Sequence, residues 1–456
     1  MAPPAALSQA PQVPGAVLDH IEEPLFGISH IGTDVRNVWY PIAIEHEIPR
    51  KSATSRAMGT RLLGEPIALY RDETNTVRCL ADRCPHKNAK LSVGRVLDGK
   101  MECFYHGWQF DGKTGEVSHI PFLLPDKQTP PQAKTKSYPC VEKHHLIWVW
   151  PGDVDKADES LIPCYPEWLD KRLCFWGQTT EMPIDHSLWC ENLMDIAHTP
   201  FAHDGQFSSR QDGKPLRYET KATKTGLFVD PQWAAEMRKD YPLKQTMEWI
   251  APCTNIVRTT SKSGRMLMLC FYSIPMAPGM TRHIFTMYKD WGYPLTWINN
   301  LLAKTPLNHL AQLANQTIPF QDMTAITGIM RNIKEGAGYL SVPIQCDEMA
   351  VMYRRWHGKA FHKDVWWKGW AGNLDIEDLT ESVGHSCFGA DSCGQYERDI
   401  THDPNNAQPY IERWAKVHHK PNPFAPTWAG QAALLLSAGA LGALGAVAAT
   451  RLAKTA

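Results

Sequence analysis

"RCPHKNAKL", Arg83–Leu91, sets Cys84 and His86 one residue apart, with cations around them. A single Cys-x-His pair says little. A second pair follows, because "ECFYHGWQFD" (Glu102–Asp111) carries Cys103 and His106 after a gap of sixteen residues from His86. Two such pairs, on two hairpin-like loops, can clamp one cofactor between the loop tips. Two thiolates plus two imidazoles suit a zinc ion, or a [2Fe–2S] cluster with Cys on one iron and His on the other. A zinc finger keeps its cysteines together and its histidines together. Here each pair mixes the two, so the cluster fits better. Neutral imidazole ligands would raise its potential above that of an all-Cys cluster.

The second informative stretch is "CENLMDIAHTPFAHD", Cys190–Asp204. Asn192, Asp195 and His198 recur at i, i+3 and i+6, which predicts a helix with all three near one face. Pro200 then forces the chain out of that helix or bends it, so that His203 can turn back toward His198. Two histidines and one distant carboxylate would build a facial triad, leaving open positions on an Fe(II) ion. "IPFQDMTAI" (Ile318–Ile326) offers Asp322 for that role, and "PIQCDEMAVMYRRW" (Pro343–Trp356) offers Asp347. Asp347 also has a second reading, as the partner that orients Arg354 or Arg355.

The remaining sequence frames these two sites. With 456 residues there is room for two or three domains. Apolar residues make up 43% and charged residues 21%, which excludes global disorder, and a net charge of −1 gives no reason to expect a nucleic-acid partner. Twelve cysteines in so long a chain are too sparse for a disulfide scaffold. Residues 1–35 read as a flexible Pro- and Ala-rich tail, with no Arg or Lys before Arg36, unlike a basic transit peptide. Alternating runs such as "EPIALYRD" (Glu65–Asp72) make residues 36–155 a β-rich domain. Residues 156–426 mix strand-like runs, "TMEWIAPCTNIVRTT" and "RMLMLCFYSIPM", with helical ones such as Leu295–Gln316, an α+β pattern. From Thr427 to Thr450 the chain carries no charge and is long enough to cross a bilayer as a helix. Trp428 would sit at one interface, and Ala438, Gly442 and Ala446 form a row of small residues for close helix approach.

Cys84-Pro85-His86 and Cys103-Phe104-Tyr105-His106-Gly107-Trp108 resemble the paired signature of Rieske domains. "ENLMDIAH", with His203 five residues beyond His198, resembles the mononuclear iron motif of Rieske oxygenases. "DRCPHKNAKLSVGRVLDGKMECFYHGWQFDG", "EMPIDHSLWCENLMDIAHTPFAHD", "APCTNIV", "FQDM" and "YRRW" occur in the order of the pheophorbide a oxygenase and chlorophyllide a oxygenase-like group. The resemblance implies a Rieske [2Fe-2S] domain on Cys84, His86, Cys103 and His106. An α+β domain of helix-grip type follows, with a mononuclear Fe(II) on His198, His203 and, by preference, Asp322. It makes Asp195, with Asn192 beside it, the link between the cluster of one subunit and the iron of its neighbour in a homo-trimer. It implies O₂, ferredoxin or a reductase as electron donor, a tetrapyrrole substrate, and a membrane anchor at 427–450. The host membrane would be a chloroplast thylakoid or inner envelope, or that of a cyanobacterium. The rival readings are a non-catalytic redox subunit of a membrane translocon and a monooxygenase of a non-tetrapyrrole substrate. Several group members carry Cys-x-x-Cys before the anchor, whereas here Cys387 and Cys393 are six apart.

Overall fold

The computed structural model describes residues 32–49, 56–204, 209–216, 220–229, 244–260, 265–277, 279–290, 317–334 and 342–361. The N-terminal tail as far as residue 31, the helical run Leu295–Gln316, the pair Cys387 and Cys393, and the expected anchor 427–450 lie outside the described residues. Among the described residues no helix is long and apolar enough to cross a membrane.

The first part is built from short antiparallel strands. β1 (Tyr40–Ile44) pairs with β11 (Leu146–Val149), which pairs with β10 (Cys140–Lys143). A second sheet runs β2 (Met58–Leu62), β3 (Glu65–Arg71), β4 (Val77–Ala81) and β9 (Ser137–Tyr138). A third, β5 (Arg95–Leu97), β6 (Lys100–Glu102), β7 (Gln109–Phe110) and β8 (Val117–His119), carries the second Cys–His loop between β6 and β7. Below the two loops a small core of Ala68, Tyr70, Leu80, Leu91, Met101 and Phe110 excludes water from Cys84 and Cys103.

The second part is one seven-stranded antiparallel sheet. Its order is β12 (Cys174–Met182), β18 (Met280–Lys289), β17 (Met266–Ala277), β16 (Thr254–Thr260), β15 (Lys244–Ile250), β14 (Gly226–Val229) and β13 (Thr220–Ala222). The run "TMEWIAPCTNIVRTT" is thus a hairpin, turning at Ala251–Cys253 where proline removes a ladder donor. The helices are the single turn α1 (Pro166–Leu169), then α2 (His186–Met194), α3 (Thr199–Ala202), α4 (Thr317–Lys334) and α5 (Glu348–Phe361). α2 starts where Asp185 accepts from the Ser187 N–H at 2.9 Å, satisfying one of the free amides of the first turn.

The two parts are joined through buried polar contacts as well as apolar ones. Arg282 of β18 is 1% exposed; its Nε donates to Ile42 O of β1 at 2.6 Å, and Nη1 pairs with Glu181 of β12 at 2.7 Å. Nη2 pairs with Glu47 at 3.2 Å, and Thr60 of β2 donates to Glu181 at 3.2 Å. The β2–β3 turn adds two backbone bonds, Leu63 N–H to Pro275 O and Gly64 N–H to Met276 O. Leu63 and Gly64 both have positive φ (51° and 80°), the conformation that turns both amides outward, for which glycine is the cheapest residue.

Two predictions follow from this packing. Arg282→Leu leaves the Glu181 charge buried with only the Thr60 hydroxyl beside it, so it should cost about 3–5 kcal/mol in urea unfolding. The second concerns His186 of α2 and His357 of α5, whose Nε2 atoms meet at 3.3 Å in the interior. Burial depresses both rings, His186 to about 4, with Asp185 opposing and Arg354 adding to the fall. A depressed histidine stabilises the fold fully above its unfolded value of about 6.5 and loses that contribution as pH falls toward about 4. Urea midpoints should therefore drop across that window, and His357→Leu should flatten the slope.

Candidate metal centres

The two Cys–His loops share one backbone device. The Cys84 N–H donates to Ala89 O and the Cys103 N–H to Trp108 O, each at 2.8 Å. Four residues after each cysteine stands a residue of positive φ, Asn88 (58°) and Gly107 (70°), whose N–H returns to the cysteine carbonyl. Each loop therefore closes into a tight turn. Asp82 braces the first by accepting from the Ser92 N–H at 2.7 Å and its hydroxyl at 2.6 Å. Across the loops the His86 and His106 rings lie with centroids 4.5 Å apart, and Trp108 stacks on His86 at 4.8 Å. Both thiols are 2% exposed. Burial pushes Cys84 up to about 11, and the neighbouring Cys103 adds to the rise. Two adjacent buried thiols with two imidazoles nearer the surface form a donor set that fits a [2Fe–2S] cluster.

The second site differs from its expected local structure. Asn192, Asp195 and His198 do not share one helix. α2 ends at Met194, and Asp195 is its C-cap, with extended backbone (φ −91°, ψ 106°). The helix ends six residues before Pro200, so the proline breaks nothing: it sits in the first turn of α3, where a missing N–H costs no bond. The break serves the site. The Asp195 carboxylate accepts from the Ala197 N–H at 2.7 Å and lies 3.5 Å from His198 Nδ1. α3 then carries the chain round to His203.

Asp322, in the second turn of α4, completes the group. His198 Nε2 and His203 Nε2 are 3.3 Å apart, and Asp322 Oδ1 lies 3.4 Å from the first and 3.0 Å from the second. Among the described residues these three form the one group of at least three donors whose ligand atoms all lie within 4.8 Å of one another. Asp322 Oδ1 is buried and has no partner of hydrogen-bond geometry despite those short distances. That is expected where lone pairs face a common ion rather than one another, so the residues fit a mononuclear metal.

The outer atoms of both rings are also placed. His203 Nδ1 lies 2.9 Å from Gln321 Oε1, so its N–H donates there and Nε2 keeps its lone pair. The Asp195 carboxylate faces the outer nitrogen of His198, Nδ1, at 3.5 Å as an ion-pair partner, without hydrogen-bond geometry. Burial lowers the His198 ring, but Asp195 and Asp322 together outweigh it and raise it to about 9. Burial acts to raise Asp322, and the two histidines hold it below the usual carboxylate range.

Asn192 lies in the last turn of α2, where its carbonyl accepts from the Asp195 N–H at 3.2 Å. Its side chain is not part of the donor group. Asp347 is likewise outside it. Asp347 caps its own turn, accepting from the Ile344 N–H at 2.7 Å. Arg354 pairs with Glu191 and donates to Ser187 Oγ at 2.8 Å. Gln321 was not expected as a site residue, though it immediately precedes Asp322 in "FQDM". Also unforeseen, the Trp189 Nε1–H donates to His283 Nδ1 at 2.9 Å, deep in the sheet. Burial pushes His283 down to about 4, so the ring is neutral and can accept.

Comparison with known proteins agrees with this geometry. Residues 38–139 match the Rieske [2Fe-2S] domain family, and residues 249–338 match the pheophorbide a oxygenase family. The chain is 35% identical over 242 residues to Protein TIC 55, chloroplastic, of Pisum sativum, a match spanning 51% of this chain and 42% of that protein. It is 29% identical over 331 residues to chlorophyllide a oxygenase of Chlamydomonas reinhardtii, spanning 71% of this chain and 48% of that one. The chain thus spans about half the length of these curated relatives. The crystal structure of dicamba monooxygenase bound to dicamba superposes with a TM-score of 0.61 at 24% identity, covering 73% of this chain and 98% of that one. The two metal-site motifs, on this architecture, define a Rieske non-heme iron oxygenase. Within that class the chain resembles the pheophorbide a oxygenase and chlorophyllide a oxygenase-like proteins.

Removing one donor separates the two centres. Asp322→Ala should abolish mononuclear iron binding, read by metal analysis, while the visible absorbance of the [2Fe–2S] cluster persists. Cys84→Ser should do the reverse.

Proposed function

We propose that the protein is a membrane-anchored oxygenase that uses O₂ and external electrons to oxidise a chlorophyll-derived tetrapyrrole of the pheophorbide a or chlorophyllide a class. The observation that carries it is the convergence of His198, His203 and Asp322, because a pure electron relay has no use for a three-ligand site with open positions. In this reading Cys84 and Cys103 hold one iron of the cluster and His86 and His106 the other. The domains run 36–155 and 156–426. When bound, the cluster supplies single electrons and the mononuclear iron supplies the place where dioxygen is reduced.

The protein's own groups do the rest. Gln321 accepts the outer ring proton of His203, and the Asp195 carboxylate faces the outer edge of the His198 ring as its ion-pair partner. Asp195 remains 34% exposed in its side chain, which suits entry of an electron from the cluster of a neighbouring subunit in a homo-trimer. Asn192 supports it through its backbone carbonyl, which accepts from the Asp195 N–H. Ferredoxin or a reductase would load the cluster through the exposed edge of His86. The uncharged stretch 427–450 would hold the assembly on a chloroplast or cyanobacterial membrane. The names of the relatives support this class of substrate and compartment.

Anaerobically purified protein given reduced ferredoxin, ¹⁸O₂ and a panel of chlorophyllide, pheophorbide and protochlorophyllide should place label in one pigment. Asp195→Asn should slow that turnover by more than about tenfold, an increase of ~1.4 kcal/mol or more in the barrier. Cluster cycling without label in any pigment would favour a redox subunit or a different small substrate.

A further inference from the structure

One face of the seven-stranded sheet is closed and the other is partly open. Cross-strand partners in an antiparallel sheet share a face, so the register defines rows of side chains. Tyr272, Ile284, Cys270 and Met268, on the face turned to the Rieske part, are all buried. On the opposite face, Thr180, His283 and Ser273 form one row, also buried. Two residues along, Gln178 pairs with Phe285 and Phe285 with Phe271; both phenylalanines are half-buried. Two further along, Trp176 pairs with Met287, again half-buried.

The aromatic rings on this face touch one another. Phe271 and Phe285 have centroids 5.1 Å apart, and Trp176 meets Phe285 edge-on at 5.5 Å. Rows two residues apart are separated by about 7 Å, so the surface from His283 to Trp176 is about 14 Å long. Its deep end lies at the metal site. His283 accepts from Trp189, and Trp189 packs in one apolar cluster with Met323 and Ile326, which follow Asp322 on α4.

Gln178 interrupts this apolar surface. It is 4% exposed, and its Oε1 has no hydrogen-bond partner. The Ser273, Tyr272 and Thr286 hydroxyls are unpaired too, but a hydroxyl can rotate its proton toward a nearby carbonyl. An amide oxygen has no proton to redirect and must be given a donor. Folding gains nothing from burying such an acceptor, and an apolar residue of the same shape would serve the core better.

We propose that this half-buried face is the floor on which the substrate lies and that Gln178 is its polar positioning residue. The floor takes a flat conjugated molecule longer than one six-membered ring. Its reacting end sits beside Asp322, its body lies on Phe271, Phe285 and Trp176, and a polar substituent bonds to the Gln178 amide. The assignment rests on the oxygenase reading above and specifies which residues select the substrate.

The test uses the full chain with cluster and iron loaded, and two probes: chlorophyllide a, and the single-ring 3,6-dichlorosalicylic acid. Binding is read by quenching of tryptophan fluorescence, and Tm is measured beside it. Wild type should bind chlorophyllide a at least about tenfold more tightly than the single ring. Phe285→Ala should weaken chlorophyllide a binding by about tenfold, the scale of one lost aromatic contact. Gln178→Leu should weaken it about fivefold while Tm stays level or rises, since an unpaired polar group has been removed. Wild-type Kd values in both variants, a preference for the single ring, or a fall in Tm for Gln178→Leu would each overturn the proposal. If no pigment takes up labelled oxygen while binding still depends on Phe285 and Gln178, the floor stands and the reaction reading fails. If pigment is oxidised with unchanged Kd in both variants, the reaction reading stands and the floor fails.

Discussion

A guanidinium buried between two domains has to be satisfied on all sides, and Arg282 is. Its donors reach the backbone of β1, the carboxylate of Glu181 on the neighbouring strand, and Glu47 beyond β1. Because these partners come from both parts of the chain, the Rieske part cannot shift against the sheet without exposing an unpaired charge to an apolar interior. That constraint commits one face of β12, β17 and β18 to the domain contact. α2, the metal site and the proposed substrate floor lie on the other face.

The metal site follows from that division. α2 crosses the free face and stops at Met194, where Asp195 turns the chain, and α3 brings His203 back beside His198. α4 lies against α2 through Met323 and Ile326 and carries Asp322 in from more than a hundred residues away. Gln321 holds the His203 ring by its outer nitrogen, and Asp195 lies 3.5 Å from the outer nitrogen of His198. Both Nε2 atoms therefore converge on Asp322 Oδ1 in the protein itself. The Rieske loops are built more locally. Each is one hydrogen-bonded turn with a positive-φ residue at its fourth position after cysteine, and a small core beneath keeps its thiol dry.

Much of this was legible in the chain. The cluster ligands lie within 23 consecutive residues, Cys84 to His106, on loops whose shape depends on their own turn residues. His198 and His203 are likewise neighbours in sequence. β3 and β17 fall within runs read as strands, and both are buried over five or more consecutive residues, as strands covered on both faces are. The i, i+3, i+6 reading of Asn192, Asp195 and His198 was misleading for a physical reason. The same spacing fits a helix that ends early and a carboxylate that caps the next turn, and only the packing of α2 against the sheet and α5 chooses between them.

What the sequence determined by itself was the four donors of the Cys–His loops and the pair His198 and His203, since ligand type and short spacing suffice for a cluster held by two turns. What only the tertiary structure decided was the choice of Asp322 over Asp347, the roles of Gln321 and Arg282, and the half-open aromatic face around Gln178. Each of these depends on atoms brought together across strands and helices far apart in the chain. No local propensity records such a meeting, because it is fixed by which faces must be buried together once the sheet has formed.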